Sequence, residues 1–433
     1  MKKLLEKISK TILITLVRFQ VRKYKPLIIG ITGNAGKTST REAIASVVRS
    51  QKTVRAAAGS LNNELGFALT ILGNWDDEYF GRGSSIGLWV RVFFVGVRGL
   101  ISRRDFPQTF ILEYGADHPG DIKRLAHALK PHISVVTTVG DVPVHIKYFQ
   151  STEAMADEKA NLVKVLSTGD YAILNHDDHR VLAMKSKTKA KVLTYGFDQG
   201  STIRASDVEY TSNEEGRPLG VTFKLNEGSR FAPIRIEGSL GKSQAWSAAA
   251  ATAVGSVLGM NLVDISEALS AYHGPKGRLK ILRGIKNSNI IDDTYNASPA
   301  STRLALETLR DVPALRKIAV LGDMLELGEH SEKAHRDIGV LASEVADVIV
   351  CVGPQTKAIA QSASGKLSSD KIFIFDNSNG AKSKVQELIH EHDLVLVKGS
   401  QGLRMERIVA EIMADSSQAK DLIVRQSQRW LSK

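Results

Sequence analysis

The sequence predicts an α/β protein with two successive, mostly parallel sheets flanked by helices. From residue 26 onwards, short apolar runs typical of strands alternate with helical patterns, and a second series of this kind begins near residue 285. Glycine and proline cluster between the two series, in HGPKGRLK at 273–280. Because this alternation is typical of parallel sheets covered by helices, we expect two domains, 26–276 and 277–433.

Length, cysteine content and charge limit the classes of protein that fit. The 433 residues are enough for two or three domains of roughly 100–200 residues each. The single cysteine, Cys351, excludes a disulfide framework and fits a reducing compartment, so we expect a cytoplasmic protein. The net charge of +12 favours anionic partners such as nucleotides, nucleotide-sugars or an anionic membrane surface. Nucleic acid is not expected as a partner, because zinc-finger spacing and aromatic-rich RNA-binding patterns are missing from the sequence.

Residues 1–25 predict a basic amphipathic helix that precedes the first domain. Apolar residues recur there at helical spacing, at Leu5, Ile8, Ile12, Leu16 and Phe19. The longest run without charge, Thr11 to Val17, is far too short to span a bilayer. Two interpretations stay open: a helix packed on the next domain, or a helix lying on the inner face of the membrane.

The first series alternates strands and helices up to residue 175. Its predicted strands are PLIIGIT, TFILEYG, ISVVTTVG and YAILN, and its predicted helices are TREAIASVVRS, GDIKRLAHAL and STEAMADEKANLVKVL. An insertion at 74–106 interrupts the series, and its apolar segment 84–104 predicts a packed helix or a second membrane-facing one. Arg91 and Arg98 argue against a transmembrane helix there.

The rest of the chain predicts a change of strand pattern and then a second α/β series. Residues 201–237 contain short strands joined by turns, and a helix rich in small residues, SAAAATAVGSVLG, follows them. The strands NIIDDTY, RKIAVLGDM, VADVIVCVG, KIFIFD and LVLVKGS then form the second series.

The stretch GITGNAGKTST at 30–40 has the features of a phosphate-binding loop. Gly33 and Gly36 let backbone N–H groups approach an anion, and the helix that begins near Lys37 directs its positive end to the same place. Lys37 can reach the β- and γ-phosphates, and the Thr38 hydroxyl can bind Mg²⁺. Position 31 is Ile31, so the strict eight-residue motif is not met, yet G-x-x-G-K-T-S after a strand favours a nucleoside triphosphate over an ordinary strand–helix turn.

Further polar residues stand near the ends of predicted strands. Glu113 ends the strand in FILEYG, where α/β sheets place ligands, and a carboxylate there can bind Mg²⁺. His145 and Lys159 lie fourteen residues apart in GDVPVHIKYFQSTEAMADEKANL. Judged alone, Glu113 is equally well explained as a capping or surface acid, and the other two are better explained as solvated or core residues.

Two later loops contain residues suited to nucleotides and anions. DDTYNASP at 292–299 follows the strand NII, and its acids and Asn296 suit ribose hydroxyls, a phosphate-bound metal or adenine edges. LVKGSQGLR at 396–404 offers Lys398, Ser400 and Arg404 for an anionic group.

Seven motifs in this order resemble the Mur ligase family of peptidoglycan synthesis. They are GITGNAGKTST, LNNELG, LEYGADHPGDI, the His145–Lys159 pair, DDTYNASP, LGDMLELGEHS and LVKGSQGLR, and the resemblance covers about residues 26–433. It implies a P-loop central domain, a Rossmann-like C-terminal domain, and ATP-dependent amide bond formation through an acyl phosphate. The motifs are most similar to the branch that adds D-alanyl-D-alanine to a UDP-N-acetylmuramoyl-tripeptide, so we expect a nucleotide-sugar peptide and an amino acid or dipeptide as partners.

The resemblance also implies roles for individual residues. Lys37 would neutralise the β- and γ-phosphates, Thr38 and Glu113 would hold one Mg²⁺, and His145 would help to hold a second. Lys159 matches the family lysine that CO₂ converts to a carbamate, and Arg278 matches the arginine that faces the ATP phosphates. The other implied positions are Gly33, Asn34, Ala35, Gly36, Ser39, Gln244, Asp293 and Asn296 for the nucleotide, and Asn62, Asn63, Lys398, Ser400 and Arg404 for the substrates.

Two departures from the family pattern bear on these expectations. Family members usually have an N-terminal domain of several dozen residues that binds the uridine nucleotide, whereas about 25 residues precede the phosphate-loop strand here. We therefore expect the acceptor to bind in another way. LGKSQAW places Ser243 and Gln244 where the family usually has a His-Asn pair that contacts adenine, and the Gln244 amide can make similar hydrogen bonds.

Two alternative functions stay open. A related ligase would add another amino acid to a different acceptor, and a non-catalytic protein would bind a nucleotide as the partner of a cell-wall ligase. The presence of Lys37, Glu113, His145 and Lys159 favours an enzyme, because binding alone does not need a second metal site. We expect the protein to be a monomer.

Overall fold

The computed structural model describes residues 2–57, 61–83, 85–102, 105–142 and 145–432. Side chains 2–9, which include Leu5 and Ile8 of the predicted apolar face, lie outside the described part, as do residues 84, 103 and 104 of the apolar segment. Within these limits the chain forms two sheets, each flanked by helices. The predicted α/β fold class is confirmed.

The first sheet of the described chain has nine strands. They are β1 (Leu27–Thr32), β2 (Val54–Ala56), β3 (Thr109–Glu113), β4 (Ile133–Val136), β5 (Tyr171–Asn175), β6 (Lys191–Gly196), β7 (Ile203–Ser212), β8 (Pro218–Glu227) and β9 (Arg230–Glu237). Their order is β2-β3-β1-β4-β5-β6-β7-β8-β9, parallel up to β7 and antiparallel beyond it. The register puts Ile31 beside Glu113 and Thr32 beside Val136, so the loops after β1, β3 and β4 meet at one edge of the sheet.

Ten helices belong to the first part of the described chain. They are α1 (Lys2–Tyr24), α2 (Lys37–Arg49), α3 (Glu64–Leu72), α4 (Asp76–Arg82), α5 (Ile86–Ile101), α6 (Asp121–Ala128), α7 (Thr152–Lys164), α8 (His179–Leu182), α9 (Lys242–Val257) and α10 (Leu262–Ser270). Helices α2 and α9 pack together against one face of the sheet. The small buried side chains Ala248–Ala251 of α9 allow this close approach, and α2 is thereby fixed with its first turn at the sheet edge.

The N-terminal helix α1 packs on α3 and α5, on the other face of the sheet. Leu13, Leu16 and Val17 are buried in this contact, and Gln20 Nε2 donates a hydrogen bond to the Gly96 carbonyl at 2.7 Å. A Cβ at Gly96 would lie 3.2 Å from Leu16 Cδ1, so glycine lets the two helices come close. The described part of α1 thus packs on the next domain, which is one of the two interpretations of residues 1–25. Among the described helices none is long and apolar enough to cross a membrane.

The second sheet begins at residue 280, after α10 and the HGPKG segment. Its strands are β10 (Lys280–Arg283), β11 (Asn289–Asp293), β12 (Lys317–Gly322), β13 (Val348–Val352), β14 (Ile372–Phe375) and β15 (Leu394–Lys398). Their order is β10-β11-β15-β12-β13-β14, and only β10 is antiparallel to its neighbour within the described strands. The accompanying helices are α11 (Pro299–Asp311), α12 (Ser331–Val345), α13 (Lys357–Ala363), α14 (Ser378–Leu388), α15 (Glu406–Ile412), α16 (Ala419–Leu422) and α17 (Gln428–Leu431).

Candidate active site

The carboxyl ends of strands from both sheets meet around one cavity of about 730 Å³. Most of the predicted site residues line it. These are Gly33, Asn34, Ala35, Gly36, Lys37, Thr38, Asn62, Glu113, His145, Lys159, Arg278, Asn296, Ser400 and Arg404. Because ligands of α/β sheets bind at the carboxyl ends of the strands, this cavity is the candidate active site.

The phosphate loop follows β1 directly and leads into α2. Gly33 and Gly36 adopt φ angles of 143° and 84°, and a Cβ at Gly33 would lie 1.8 Å from Thr137 Oγ1. Helix α2 begins at Lys37 without a side-chain cap, so its first N–H groups are available to an anion. The side chain of Lys37 folds back over the loop and its Nζ donates to the Gly33 carbonyl at 2.7 Å. The loop thus has the backbone geometry and the cation that a phosphate group needs.

Glu113 at the end of β3 is held by a residue that the sequence reasoning missed. Arg41, one turn beyond Lys37 on α2, places Nη1 2.9 Å from Glu113 Oε1, and both side chains are buried. Burial opposes the charge of Arg41, but the nearby carboxylates of Glu113 and Glu42 raise its pKa overall. The sequence indicates this position in TSTRE, because Arg41 follows Lys37 by four residues and therefore lies on the same face of the helix.

Two lysines converge on the cavity from α2 and α7. Burial lowers the pKa of Lys37, although the Glu113 carboxylate opposes the change. Lys159 is only 2% exposed, and burial together with the positive charge of Lys37 lowers its pKa to about 7. At neutral pH the Lys159 amine is therefore partly uncharged, which makes it a nucleophile.

His145 connects the two halves of the cavity. Its Nδ1 lies 2.6 Å from Glu326 Oε2, and its Nε2 lies 3.4 Å from Asp117 Oδ1. Burial lowers the pKa of His145, and the two carboxylates oppose that change. The sequence analysis does not name Glu326 or Asp117 as site residues. Both nevertheless lie within the motifs LGDMLELGEHS and LEYGADHPGDI.

Arg278 enters the cavity from the segment between the two sheets. Its guanidinium carbon lies 4.1 Å from the centre of the Tyr295 ring, in a cation–π contact. Its Nε is buried and has no hydrogen-bond partner among the described residues. An anionic ligand would satisfy this donor, as expected for an arginine that faces phosphates.

Asp293 and Lys398 do not line the cavity but support its wall. Lys398 Nζ lies 2.5 Å from Asp293 Oδ2 and donates to the Asn296 carbonyl at 3.1 Å, and both charged side chains are buried. Each charge is thus already satisfied inside the protein. The expected contacts of Asp293 with nucleotide and of Lys398 with substrate therefore stay predictions, since neither residue lines the cavity here.

Of the other residues predicted to bind substrate, three line the cavity and one does not. Asn62 and Ser400 line the cavity, and Ser400 Oγ accepts a hydrogen bond from Leu325 N at 2.9 Å. Arg404 also lines the cavity, and its guanidinium carbon lies 5.2 Å from the ring centre of Trp430, a residue outside all the sequence motifs. Asn63 instead caps α3, because its side chain accepts from Gly66 N at 3.0 Å.

Gln244 and Ser39 are buried and do not line the cavity. Gln244 Oε1 accepts from the Tyr272 hydroxyl at 2.8 Å, and its Nε2 donates to the Arg278 carbonyl at 3.3 Å. Gln244 lines neither cavity, and each of its amide atoms already has one partner, so its expected contact with adenine stays a prediction. The amide instead fixes the backbone of Arg278.

A second cavity of about 760 Å³ lies on the other side of the phosphate loop. Ala35 and Gly36 line both cavities, and the second one is bordered by Asn175, Ser243 and Trp246. Trp246 Nε1 donates to Asp177 Oδ2 at 2.6 Å, which fixes the indole ring in the wall. The loop thus lies between the two cavities, and Trp246 gives the second one an aromatic wall.

The metal-binding capacity of the site depends on oxygen ligands. The described residues contain no group of three or more His, Cys, Asp and Glu side chains that could enclose a metal ion. Mg²⁺ bound to a nucleotide, however, needs only one or two protein oxygens, and Thr38 and Glu113 both line the cavity. These two residues fit one Mg²⁺. His145 and unmodified Lys159 offer nitrogen only, and a charged ammonium repels a metal ion.

The fold and site together define a nucleotide-dependent enzyme in which two α/β domains surround one cationic cavity. Residues 100–255 match the Mur ligase middle domain, and residues 277–401 match the Mur ligase glutamate ligase domain. A UDP-N-acetylmuramoyl-tripeptide–D-alanyl-D-alanine ligase of Mycobacterium tuberculosis (strain ATCC 25618 / H37Rv) is 31% identical over 412 residues, which cover 90% of this chain and 73% of that protein.

Two further comparisons agree with this match. The ligase of the same name from Rickettsia prowazekii (strain Madrid E) is 28% identical over 386 residues, covering 89% of this chain and 78% of its own length. The crystal structure of MurF ligase from Thermotoga maritima in complex with ADP has the same fold, with a TM-score of 0.75 and 22% identity over 95% of this chain and 84% of that one. The chain belongs to the Mur ligase family, whose members are ATP-dependent ligases that form amide bonds.

Proposed function

We propose that the chain joins D-alanyl-D-alanine to a UDP-N-acetylmuramoyl-tripeptide, with ATP activating the carboxylate of the tripeptide. The names of the similar ligases support this choice of substrates. The observation that carries the proposal is the convergence of Lys37, Arg278 and Arg404 on the cavity that contains the phosphate loop. Clustered cations are what this chemistry requires, because negatively charged oxygens of ATP and of the acceptor must approach one another.

The residues of the cavity suit the two steps of such a reaction. In the first step, the acceptor carboxylate attacks the γ-phosphorus, ADP leaves, and an acyl phosphate forms while Lys37 and Arg278 offset the charge. In the second step, the amine of the dipeptide attacks the acyl carbon, loses a proton, and inorganic phosphate leaves. Asn62, Ser400 and Arg404 line the same cavity and provide hydrogen bonds and a positive charge for the two substrates.

The second cavity suits the nucleoside end of ATP. It adjoins the phosphate loop through Ala35 and Gly36, and Trp246 gives it an aromatic wall. Asn175 offers amide groups to a base edge. In this proposal the adenine would lie beside Ser243, which lines the second cavity, rather than beside Gln244.

Two Mg²⁺ ions and a carbamate on Lys159 belong to the same proposal. Thr38 and Glu113 would hold one ion, and it would supply charge stabilisation to the phosphates. The uncharged fraction of the Lys159 amine can add to CO₂, and the resulting carbamate provides the oxygen ligand for a second ion that His145 would help to hold. We further propose that the protein acts as a monomer in the cytoplasm.

The test is phosphate release coupled to mass spectrometry of the products. The full chain is supplied with Mg²⁺, ATP, UDP-N-acetylmuramoyl-tripeptide and either D-alanyl-D-alanine or single amino acids. The expected result is phosphate release that depends on the dipeptide, together with a product heavier than the acceptor by one dipeptide less one water. Lys37→Ala should abolish product formation. Turnover with a single amino acid only, or none with this acceptor, would overturn the choice of substrates.

A further inference from the structure

Helix α5 presents an apolar face to solvent. Its buried residues, Leu88, Val92, Gly96 and Gly99, form one stripe that contacts the protein. On the opposite side Ile86, Phe94 and Ile101 are 85%, 64% and 82% exposed, and Val90 and Phe93 are also exposed. A surface helix normally carries polar residues on its outer side, so this helix is apolar on both sides.

The neighbouring helix α1 extends the same surface. Gln20 and Tyr24 of α1 bond to the carbonyls of Gly96 and Gly99, so the two helices run side by side in the same direction. Ile12, Phe19 and Lys23 recur at helical spacing on one side of α1, and Lys23 Nζ donates to the Gly99 carbonyl at 3.2 Å. The exposed side chains of Ile12 and Phe19 therefore lie on the edge of α1 next to α5.

We call the exposed apolar residues of the two helices the α1–α5 face; they are Ile12, Phe19, Ile86, Val90, Phe93, Phe94 and Ile101. These are seven of the fourteen exposed large hydrophobic residues of the described chain, although the two helices are a small part of it. Concentration of apolar residues in one exposed patch is typical of a surface that binds a partner.

The charges around the face are almost all positive. Among the described side chains, residues 10–24 of α1 include four basic residues and no acid. Helix α5 carries Arg91 and Arg98 and no acid, and Arg91 is paired with Glu78 of α4. Arg22 and Arg98 are exposed beside the apolar residues. Two copies of this face would repel each other, whereas a surface of negative headgroups over a hydrocarbon layer is complementary to it.

We propose that the α1–α5 face docks the protein on an anionic membrane surface, with the two helices lying parallel to the bilayer. The apolar side chains would enter the boundary between headgroups and acyl chains, and the arginines and lysines would contact phosphate groups. Docking would keep the catalytic cavity in the aqueous phase, since none of the seven residues of the face lines it.

Sedimentation of the full chain with lipid vesicles tests the proposal. The wild-type chain is expected to sediment with vesicles of phosphatidylcholine and phosphatidylglycerol, and much less with phosphatidylcholine alone. Ile86→Glu combined with Phe94→Glu should abolish binding. Arg22→Gln combined with Arg98→Gln should weaken it by about 25-fold, because each cation near an anionic surface contributes about five-fold in affinity.

The matched control is Phe231→Glu combined with Leu315→Glu, at two exposed positions outside the face (61% and 92% exposed). It adds the same charges and should bind vesicles as the wild type does. Deletion of α1 is not suitable, because Leu13, Leu16 and Val17 belong to the core. Failure of the wild type to bind anionic vesicles, or equal binding by the Ile86→Glu/Phe94→Glu variant, would overturn the proposal. A dimer in size-exclusion chromatography that this variant dissociates, without vesicle binding, would assign the face to self-association instead.

Discussion

Arg41 and Glu113 form a buried ion pair beneath the active-site cavity, with Arg41 Nη1 2.9 Å from Glu113 Oε1. Arg41 lies on α2, the helix that also carries Lys37 and Thr38. Glu113 ends β3. The pair therefore fixes the carboxylate at the end of one strand relative to the phosphate loop that follows another, and it leaves the second carboxylate oxygen of Glu113 for the cavity.

Arg41→Met should destabilise the protein and impair the reaction. Removal of one partner leaves the other charge buried and uncompensated, which typically costs about 3–5 kcal/mol. We expect a loss of this size in the free energy of unfolding, measured by urea denaturation. Arg49→Met, at an exposed position on the same helix, should change it by less than about 0.5 kcal/mol. Equal stability of the two variants would show that the ion pair contributes nothing.

CO₂ should be required for full activity because of Lys159. Its pKa of about 7 leaves a large uncharged fraction at neutral pH, and only the uncharged amine adds to CO₂. We expect activity to fall in CO₂-free buffer and to recover with bicarbonate, and ¹³C-bicarbonate to give a carbamate signal in the NMR spectrum. Lys159→Ala should lose activity and be partly rescued by a short carboxylic acid.

The control for this prediction is Lys164→Ala, which removes an exposed lysine from the same helix. It should keep both activity and the ¹³C signal. Full activity of Lys159→Ala would rule out the carbamate.

Local sequence patterns were sufficient to predict the parallel strands and the phosphate loop. The loop is encoded within one short stretch, where Gly33, Gly36 and Lys37 are close along the chain. Glu113 was placed correctly at a strand end because parallel strands bring their carboxyl ends to one edge of the sheet. The contact of α1 with α3 and α5 could not be predicted from the sequence, since an amphipathic helix can pack on protein or on lipid.

Contacts between distant segments could not be predicted in the same way. Lys398 is 105 residues from Asp293, and nothing in either motif distinguishes a residue that pairs with a buried acid from one that binds a ligand. Gln244 has a suitable amide for adenine, but its hydrogen bonds go to Tyr272 and to the Arg278 carbonyl. The partner that a buried side chain contacts depends on how distant segments of the chain pack together. Residue type alone does not determine that packing.

Gly33→Ala should weaken nucleotide binding. The added Cβ would lie 1.8 Å from Thr137 Oγ1, and the φ angle of 143° is one that alanine rarely adopts. The loop would have to move away from the sheet, so we expect at least a ten-fold loss of ATP affinity, measured by titration calorimetry. Gly169→Ala is the control, because a Cβ there meets no atom within 4 Å and the φ angle is ordinary. Unchanged affinity in Gly33→Ala would show that the loop is not the phosphate site.

Ionisation of Asp292 should lower the free energy of unfolding as the pH rises from about 4 to about 6. Its Oδ1 accepts hydrogen bonds from Thr294, but its Oδ2 is buried without a partner among the described residues. Burial raises its pKa to about 6, and the negative charges of Asp293 and Glu406 act in the same direction. The folded protein thus holds the proton more tightly than the unfolded chain, whose Asp residues titrate near 4, so ionisation above pH 6 lowers the free energy of unfolding by about 3 kcal/mol.

Asp292→Asn removes this ionisation and therefore its pH dependence. The difference in free energy of unfolding between Asp292→Asn and the wild type should rise by about 3 kcal/mol from pH 4 to pH 7, measured by urea denaturation at each pH. Asp376→Asn, at an exposed position, should give a curve parallel to that of the wild type. Parallel curves for Asp292→Asn as well would mean that the Asp292 carboxyl titrates at the same pH in the folded and unfolded chain, and that burial of its Oδ2 is offset by a partner such as a bound water.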